Sequence, residues 1–268
     1  MGFSTMNRIE NTFKRLKKDG KKAFIAFITA GYPDLATTAR LVKALSISGA
    51  DIIELGVPFS DPMADGPVIQ EASQAALRKK ITLRRIINMV AALRKDNVTI
   101  PLCLMTYYNP VFCYGDEKFI KKAVNSGVDG VIIPDLPVDE AKGFIKLANK
   151  SGLDNICFVS PTTSNKRLRQ IVRLAKGFIY YVSLTGVTGA RSNMASDLNT
   201  NIRRIKSLTS KPVCVGFGVS NPDQVRQVEK IADGVIVGSA IVRKIKENIG
   251  KRTLVEKTGQ FTRKLSHV

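Results

Sequence analysis

Histidine is almost missing from this sequence: the single one, His267, stands beside the carboxyl terminus. Its scarcity removes His-based metal sites, Ser-His-Asp triads and Cys-His pairs, and no metal is expected. Any acid–base chemistry therefore falls to carboxylates, tyrosine, lysine or cysteine. The four cysteines, at 103, 113, 157 and 214, show no CxxC spacing, and three lie within apolar runs. They read as small core residues of a reducing compartment. No apolar run approaches the ~18 residues of a membrane span. The opening MGFSTMNRIENTF has no signal-type apolar stretch, and Met6 stands where a myristoylation signal needs Ser or Thr. A cytoplasmic protein without a membrane partner is the expectation. No linker, low-complexity segment or fixed-period repeat beyond a strand–helix unit divides the chain.

What the sequence does have is an ordinary globular composition, 44% hydrophobic and 24% charged, over 268 residues. That length suits one domain, residues 1–268, because barrels of alternating strands and helices run to ~250 residues as a single unit. The formal net charge is +20. Residues 1–22 carry seven Lys/Arg against two acids, and residues 240–268 carry eight against two, both within amphipathic helical patterns. A solvated helix face explains such runs. Basic residues are not interleaved with aromatics and no DNA- or RNA-binding pattern is present, so no nucleic-acid partner is expected. The charge would still draw anionic substrates over long range.

Eight short apolar runs recur, rich in β-branched and aromatic residues: 24–30, 51–56, 101–107, 130–135, 155–160, 178–183, 213–218 and 234–239. Most are continuously apolar, as strands covered on both faces should be, which argues for parallel pairing. Helical patterns lie between them, several closed by Gly or Asn. The fold expected is α/β, a (β/α)8 TIM barrel, with a basic helix over roughly 4–18 covering its bottom and a C-terminal helix closing the outer ring. The connection after the second strand is unusually long and contains GVPFSDPMADGPVIQ, which marks it as a site loop.

This architecture places catalysis at the carboxyl ends of its strands. In DIIELG, Glu54 follows two isoleucines and precedes Leu55. Its carboxylate either faces the barrel mouth or bonds to neighbouring strand ends, and residue physics leaves both roles open. Asp61 and Asp65 on the following loop fit turn chemistry as well as catalysis. GVTG (186–189), GFG (216–218) and GS (238–239) follow the sixth, seventh and eighth strands, where phosphate sites form in this fold. Glycine permits close backbone approach, and a helix starting near Ser239 would aim free N–H groups at an anion.

The segment ELGVPFSDPMADGPVIQ (54–70) closely resembles the signature of the tryptophan synthase α subunit family. YYVSLTGVTGAR (180–191), VGFGVS (215–220), GSAIV (238–242), FITAGYPD (27–34) and MTYYNPVFCYG (105–115) match it in order, so the resemblance spans essentially the whole chain. It implies retro-aldol cleavage of indole-3-glycerol phosphate to indole and D-glyceraldehyde-3-phosphate. It implies Glu54, Asp65 and Tyr180 as the catalytic residues, Glu54 half buried with a raised pKa. Phe27, Met105, Tyr107, Ile132, Phe158 and Tyr180 would form the indole pocket, although for Ile132 and Phe158 plain barrel core is the favoured reading. Thr188, Gly189, Gly218, Gly238 and Ser239 would hold the phosphate, with Phe217 among the substrate-binding residues. Thr188 would belong to a second mobile loop, 184–192, closing over Asp65. The resemblance further implies an α2β2 assembly with a β subunit that carries the pyridoxal phosphate, this chain holding no cofactor. Docking would use the 58–65 loop and the face near Asn109, Pro134 and Asp135. A stand-alone indole-glycerol phosphate lyase, a silent anion-binding barrel and a sugar-phosphate isomerase share parts of the pattern.

Overall fold

The apolar runs pair in chain order into a closed cylinder of eight parallel strands: β1 (Ala23–Thr29), β2 (Ile52–Gly56), β3 (Leu102–Met105), β4 (Gly130–Ile132), β5 (Asp154–Val159), β6 (Ile179–Val182), β7 (Val213–Gly216) and β8 (Gly234–Val237). Closure is made by β8 returning to β1, with Ala23 opposite Gly234. The computed structural model describes residues 7–182, 191–216 and 218–266, the side chains of 191–196 excepted. Several strands stop short of the runs at their carboxyl ends. The fourth ends at Ile132, because Pro134 has no N–H to offer the ladder and the chain opens into a loop.

Helices fill the connections: α1 (Arg8–Lys18), α2 (Leu35–Ile47), α3 (Pro67–Arg78), α4 (Leu83–Lys95), α5 (Tyr108–Tyr114), α6 (Asp116–Asn125), α7 (Lys142–Lys150), α8 (Asn165–Leu174), α9 (Arg191–Lys206), α10 (Pro222–Glu229), α11 (Ser239–Lys246) and α12 (Leu254–Ser266). Several of their starts follow capping chemistry. Asp34 accepts from the Thr37 N–H at 2.7 Å and Asn221 from the Gln224 N–H at 3.0 Å, satisfying donors that the first turn leaves free. The long connection after β2 proves to be the 57–66 loop followed by two helices, α3 and α4. α12 packs on α2 and α11 and so closes the outer ring. No helix among the described residues is long and apolar enough to cross a membrane.

Both faces of the strands are buried, and alternation decides which side chain goes where. On β2, Ile53 and Leu55 join the outer core beneath the helices, while Ile52 joins the barrel interior with Ile25, Cys103, Phe178 and Ile236. Glu54 has the parity of Ile52. It therefore points inward, the one acidic side chain of a strand otherwise built from Ile, Leu and Gly.

The amino-terminal end of the cylinder is sealed. Ile9, Phe13 and Leu16 of α1 plug it; of the helix expected over 4–18, residues 4–6 lie outside the described residues. Around the plug, three aspartates at strand starts repeat one device. Asp51, Asp129 and Asp233 each accept the backbone N–H of the preceding strand, from Phe24 at 3.0 Å, Leu102 at 2.8 Å and Val213 at 3.0 Å. Each also donates its own N–H to the carbonyl of that same residue. Cations then neutralise them: Arg15 on Asp51, Arg8 and Arg94 on Asp129, and Lys206 on Asp233. With this end plugged and pinned, the carboxyl end is left to hold a site.

Candidate active site

Glu54 is 0% exposed, and among the described residues neither carboxylate oxygen has a hydrogen-bond partner. The sequence expectation of a half-buried carboxyl is thus corrected: the closed cylinder covers it completely. Its strand neighbours in register are Phe27 and Cys103. Removal from water, with no compensating donor, pushes its pKa up to about 8. At neutral pH this carboxyl is largely protonated, a proton donor held among apolar walls.

Asp65 sits at the end of the loop after β2, half buried, just before Gly66 and Pro67 open α3. Burial raises its pKa to about 6, against the pull of a hydrogen bond donated by the Tyr107 phenol. The same phenol oxygen accepts the Ala64 N–H at 2.9 Å, and Phe59 stacks on the Tyr107 ring at 5.0 Å. Gln70, one turn into α3, donates to the Asp65 carbonyl at 2.8 Å. The loop carboxylate is thereby held from a strand end and from the helix that follows it.

A cavity of about 240 Å³ opens beside these two acids, lined by Phe27, Asp65, Met105, Tyr180, Gly218 and Ser239 among others. Glu54 contributes no surface to it, yet Phe27 adjoins it on β1 and Tyr180 feels its charge. The Tyr180 phenol is pushed well up by burial first, then by Glu54, so it stays neutral. Shape is set by two glycines, Gly56, which sequence reasoning passed over, and Gly216, which it read only as part of a phosphate motif. A Cβ on Gly56 would meet Phe27 Cζ at 2.4 Å, and one on Gly216 would meet Tyr180 Cε1 at 2.6 Å, so both rings lie where only glycine leaves room.

The other end of the cavity is formed by the start of a helix. α11 begins at Ser239, its N-cap Gly238 offers no side-chain acceptor, and the first-turn N–H groups face outward with the positive end of the helix dipole. Gly218 adopts φ +79°, a left-handed conformation that glycine takes without strain, and lines the same cavity. Arg243, which the sequence reading did not single out, lines it too.

Not every expected pocket residue reaches this cavity. Ile132 is fully buried in the barrel interior. Tyr107 holds Asp65 and is absent from the lining. Phe158 packs on Tyr180 at 4.6 Å and faces a neighbouring cavity of about 680 Å³ that shares Ala64 and Met105 with the first. Thr188, Gly189 and Phe217 lie outside the described residues, as does most of the 184–192 loop. Of the docking residues, Asp135 accepts the Tyr108 N–H at 2.9 Å. On the same rim, Met63 is 85% exposed and Phe112 66%.

The comparisons agree with one another. Residues 13–267 match the family model described as tryptophan synthase alpha chain. The tryptophan synthase alpha chain of Geotalea daltonii is 50% identical over 246 residues, 92% of this chain and 93% of its own. That of Caldanaerobacter subterraneus is 47% identical over 263 residues, 98% and 100%. Among solved structures, the tryptophan synthase subunit alpha of Legionella pneumophila superposes with a TM-score of 0.91 at 40% identity, covering 98% of both chains. A chain of the Pyrococcus furiosus tryptophan synthase α2β2 complex gives 0.85 at 39%, covering 92% of this chain and 98% of its own. Two inward or rim carboxyls, a glycine-shaped cavity and an uncapped helix start are thus found on a chain whose full length follows these relatives, and it belongs to the tryptophan synthase alpha chain family.

Proposed function

We propose that this chain cleaves indole-3-glycerol phosphate to indole and D-glyceraldehyde-3-phosphate, with Glu54 and Asp65 as its catalytic residues. The carrying observation is a carboxyl with no solvent exposure and no hydrogen-bond partner, beside a cavity that ends in an anion-ready helix start. Protonated Glu54 delivers its proton to indole C3, which turns the ring into an electron sink. The resulting carboxylate takes the proton of the C3′ hydroxyl as the C–C bond breaks. The bond's electron pair returns to the ring, the hydroxyl carbon becomes the aldehyde, and Glu54 is again neutral. Asp65 accepts the indole N–H and stabilises the positive charge that develops there. Tyr180, kept neutral by burial, walls the ring with Phe27 and Met105. Backbone N–H groups at Gly218, Gly238 and Ser239 hold the phosphate.

The reading includes a partner. Indole passes to a β subunit that carries the pyridoxal phosphate of the next step, in an α2β2 assembly in the cytoplasm. The rim with exposed Met63 and Phe112, together with Asn109, Pro134 and Asp135, suits that docking, since large apolar side chains left in water gain from being covered. The test is incubation of the purified chain with indole-3-glycerol phosphate, with and without a β subunit, followed by product analysis. Stoichiometric indole and triose phosphate, formed faster with the partner, is the expected result. No indole under either condition refutes the reaction; equal rates refute the dependence on a partner.

A further inference from the structure

Among the described residues lining the cavity, two carry charge: Asp65 and Arg243. The carboxylate belongs to the chemistry above, whereas the cation has no role in it. Arg243 lies four residues after Ser239 on α11, so the two share one face of the helix, one turn apart. Side chains on a helix tilt back toward its amino terminus, which carries the long Arg243 arm over the first turn and its free N–H groups. Its neighbours are otherwise engaged. Lys244 pairs with Glu247 at 3.0 Å and Lys246 with Glu71 at 2.6 Å, while Arg243 has no carboxylate partner among the described residues. An exposed guanidinium with no acid to neutralise it, standing at the edge of a helix-start cradle, matches a phosphate dianion in charge and in its planar donor fork. The helix end alone supplies only about half a positive charge, too little to balance that dianion.

We infer that Arg243 is a phosphate ligand, its guanidinium completing on the solvent side the cradle formed by Gly218, Gly238 and Ser239. This rests on the phosphate reading of the site but adds a charged ligand to a cradle otherwise made of backbone. The side chain captures the ester at the rim and leaves the indole end untouched.

The experiment measures inorganic phosphate and glycerol 3-phosphate binding by calorimetry, at low and high salt, for the wild type, Arg243→Gln, Arg243→Lys and Lys244→Gln. Indole binding is measured in parallel. Loss of one charge-assisted contact predicts roughly tenfold weaker binding of both phosphates in Arg243→Gln and a flatter salt dependence, with indole affinity unchanged. Arg243→Lys should retain part of the affinity, and Lys244→Gln, whose partner is Glu247, all of it. In turnover the loss falls on KM more than on kcat. Phosphate affinities within twofold of wild type in Arg243→Gln, or an equal loss of indole binding, overturn the assignment. A wild type that binds phosphate through Arg243 but does not cleave the indole ester supports this inference while refuting the reaction.

Discussion

Burying Glu54 without a partner should make the protein's stability depend on pH in a way that one substitution removes. In the unfolded chain this carboxyl titrates near 4.5, and in the folded barrel near 8. A raised folded-state pKa means that the native state holds the proton more tightly, so the associated stability is fully present below about pH 4.5. It is lost as pH rises through 8. At 1.36 kcal/mol for each unit, ionising Glu54 inside the barrel costs about 5 kcal/mol, a large part of a typical domain's stability. Glu54→Gln removes the titration. The amide still lacks a partner, so the variant carries a pH-independent desolvation penalty of about 1–3 kcal/mol. Urea unfolding of both proteins between pH 5 and 9 isolates the effect. Asp65, near 6, and Asp154, near 7, titrate in both and cancel in the difference. Because the neutral acid lacks a partner too, the difference lies in the titration, and the variant should gain on wild type by several kcal/mol between pH 5 and pH 9, with equal denaturant slopes. Stability curves that stay parallel within about 1 kcal/mol over that range would refute the claim that Glu54 is sealed from water and alone.

Tyr107→Phe deletes the hydroxyl that donates to Asp65 and accepts from Ala64, so the Asp65 pKa should rise above about 6. The acid limb of the kcat/KM profile then moves to higher pH, and activity at pH 6 falls at least ~3-fold more than at pH 8; an unmoved limb would separate Tyr107 from Asp65. Asp129→Ala leaves Arg94 buried with only the Gly127, Val98 and Ile100 carbonyls as acceptors and orphans the Leu102 N–H. It should cost about 3 kcal/mol in chemical denaturation, and a loss under 1 kcal/mol would mean that the aspartate clamp contributes little. Gly218→Ala, at φ +79°, should cost about 1 kcal/mol of stability. It should also weaken inorganic phosphate binding while sparing indole, and equal loss of both would argue against a backbone phosphate site there.

The order and kind of elements were legible in the chain itself, because a strand covered on both faces has to be apolar throughout and these runs are. Glu54 stood out for the same reason: a carboxyl inside such a run has nowhere ordinary to go. The resemblance of residues 54–70 then tied it to Asp65. Depth was not legible. Glu54 is wholly sealed by closure of the cylinder, which also sets Tyr180 of β6, 126 positions away, within reach of its charge, and no local pattern encodes that approach. Nor could the run MTYY say which tyrosine turns toward the loop; the end of β3 and the path of residues 57–66 give that place to Tyr107. Ile132 and Phe158 look alike as apolar strand residues, yet one lies within the barrel core and the other faces the neighbouring cavity. Arg243 was one basic residue among many until the start of α11 was set against the cavity. Composition and periodicity report what a residue must avoid, namely water or its absence, whereas partners come from distant strands that only closure of the barrel brings together.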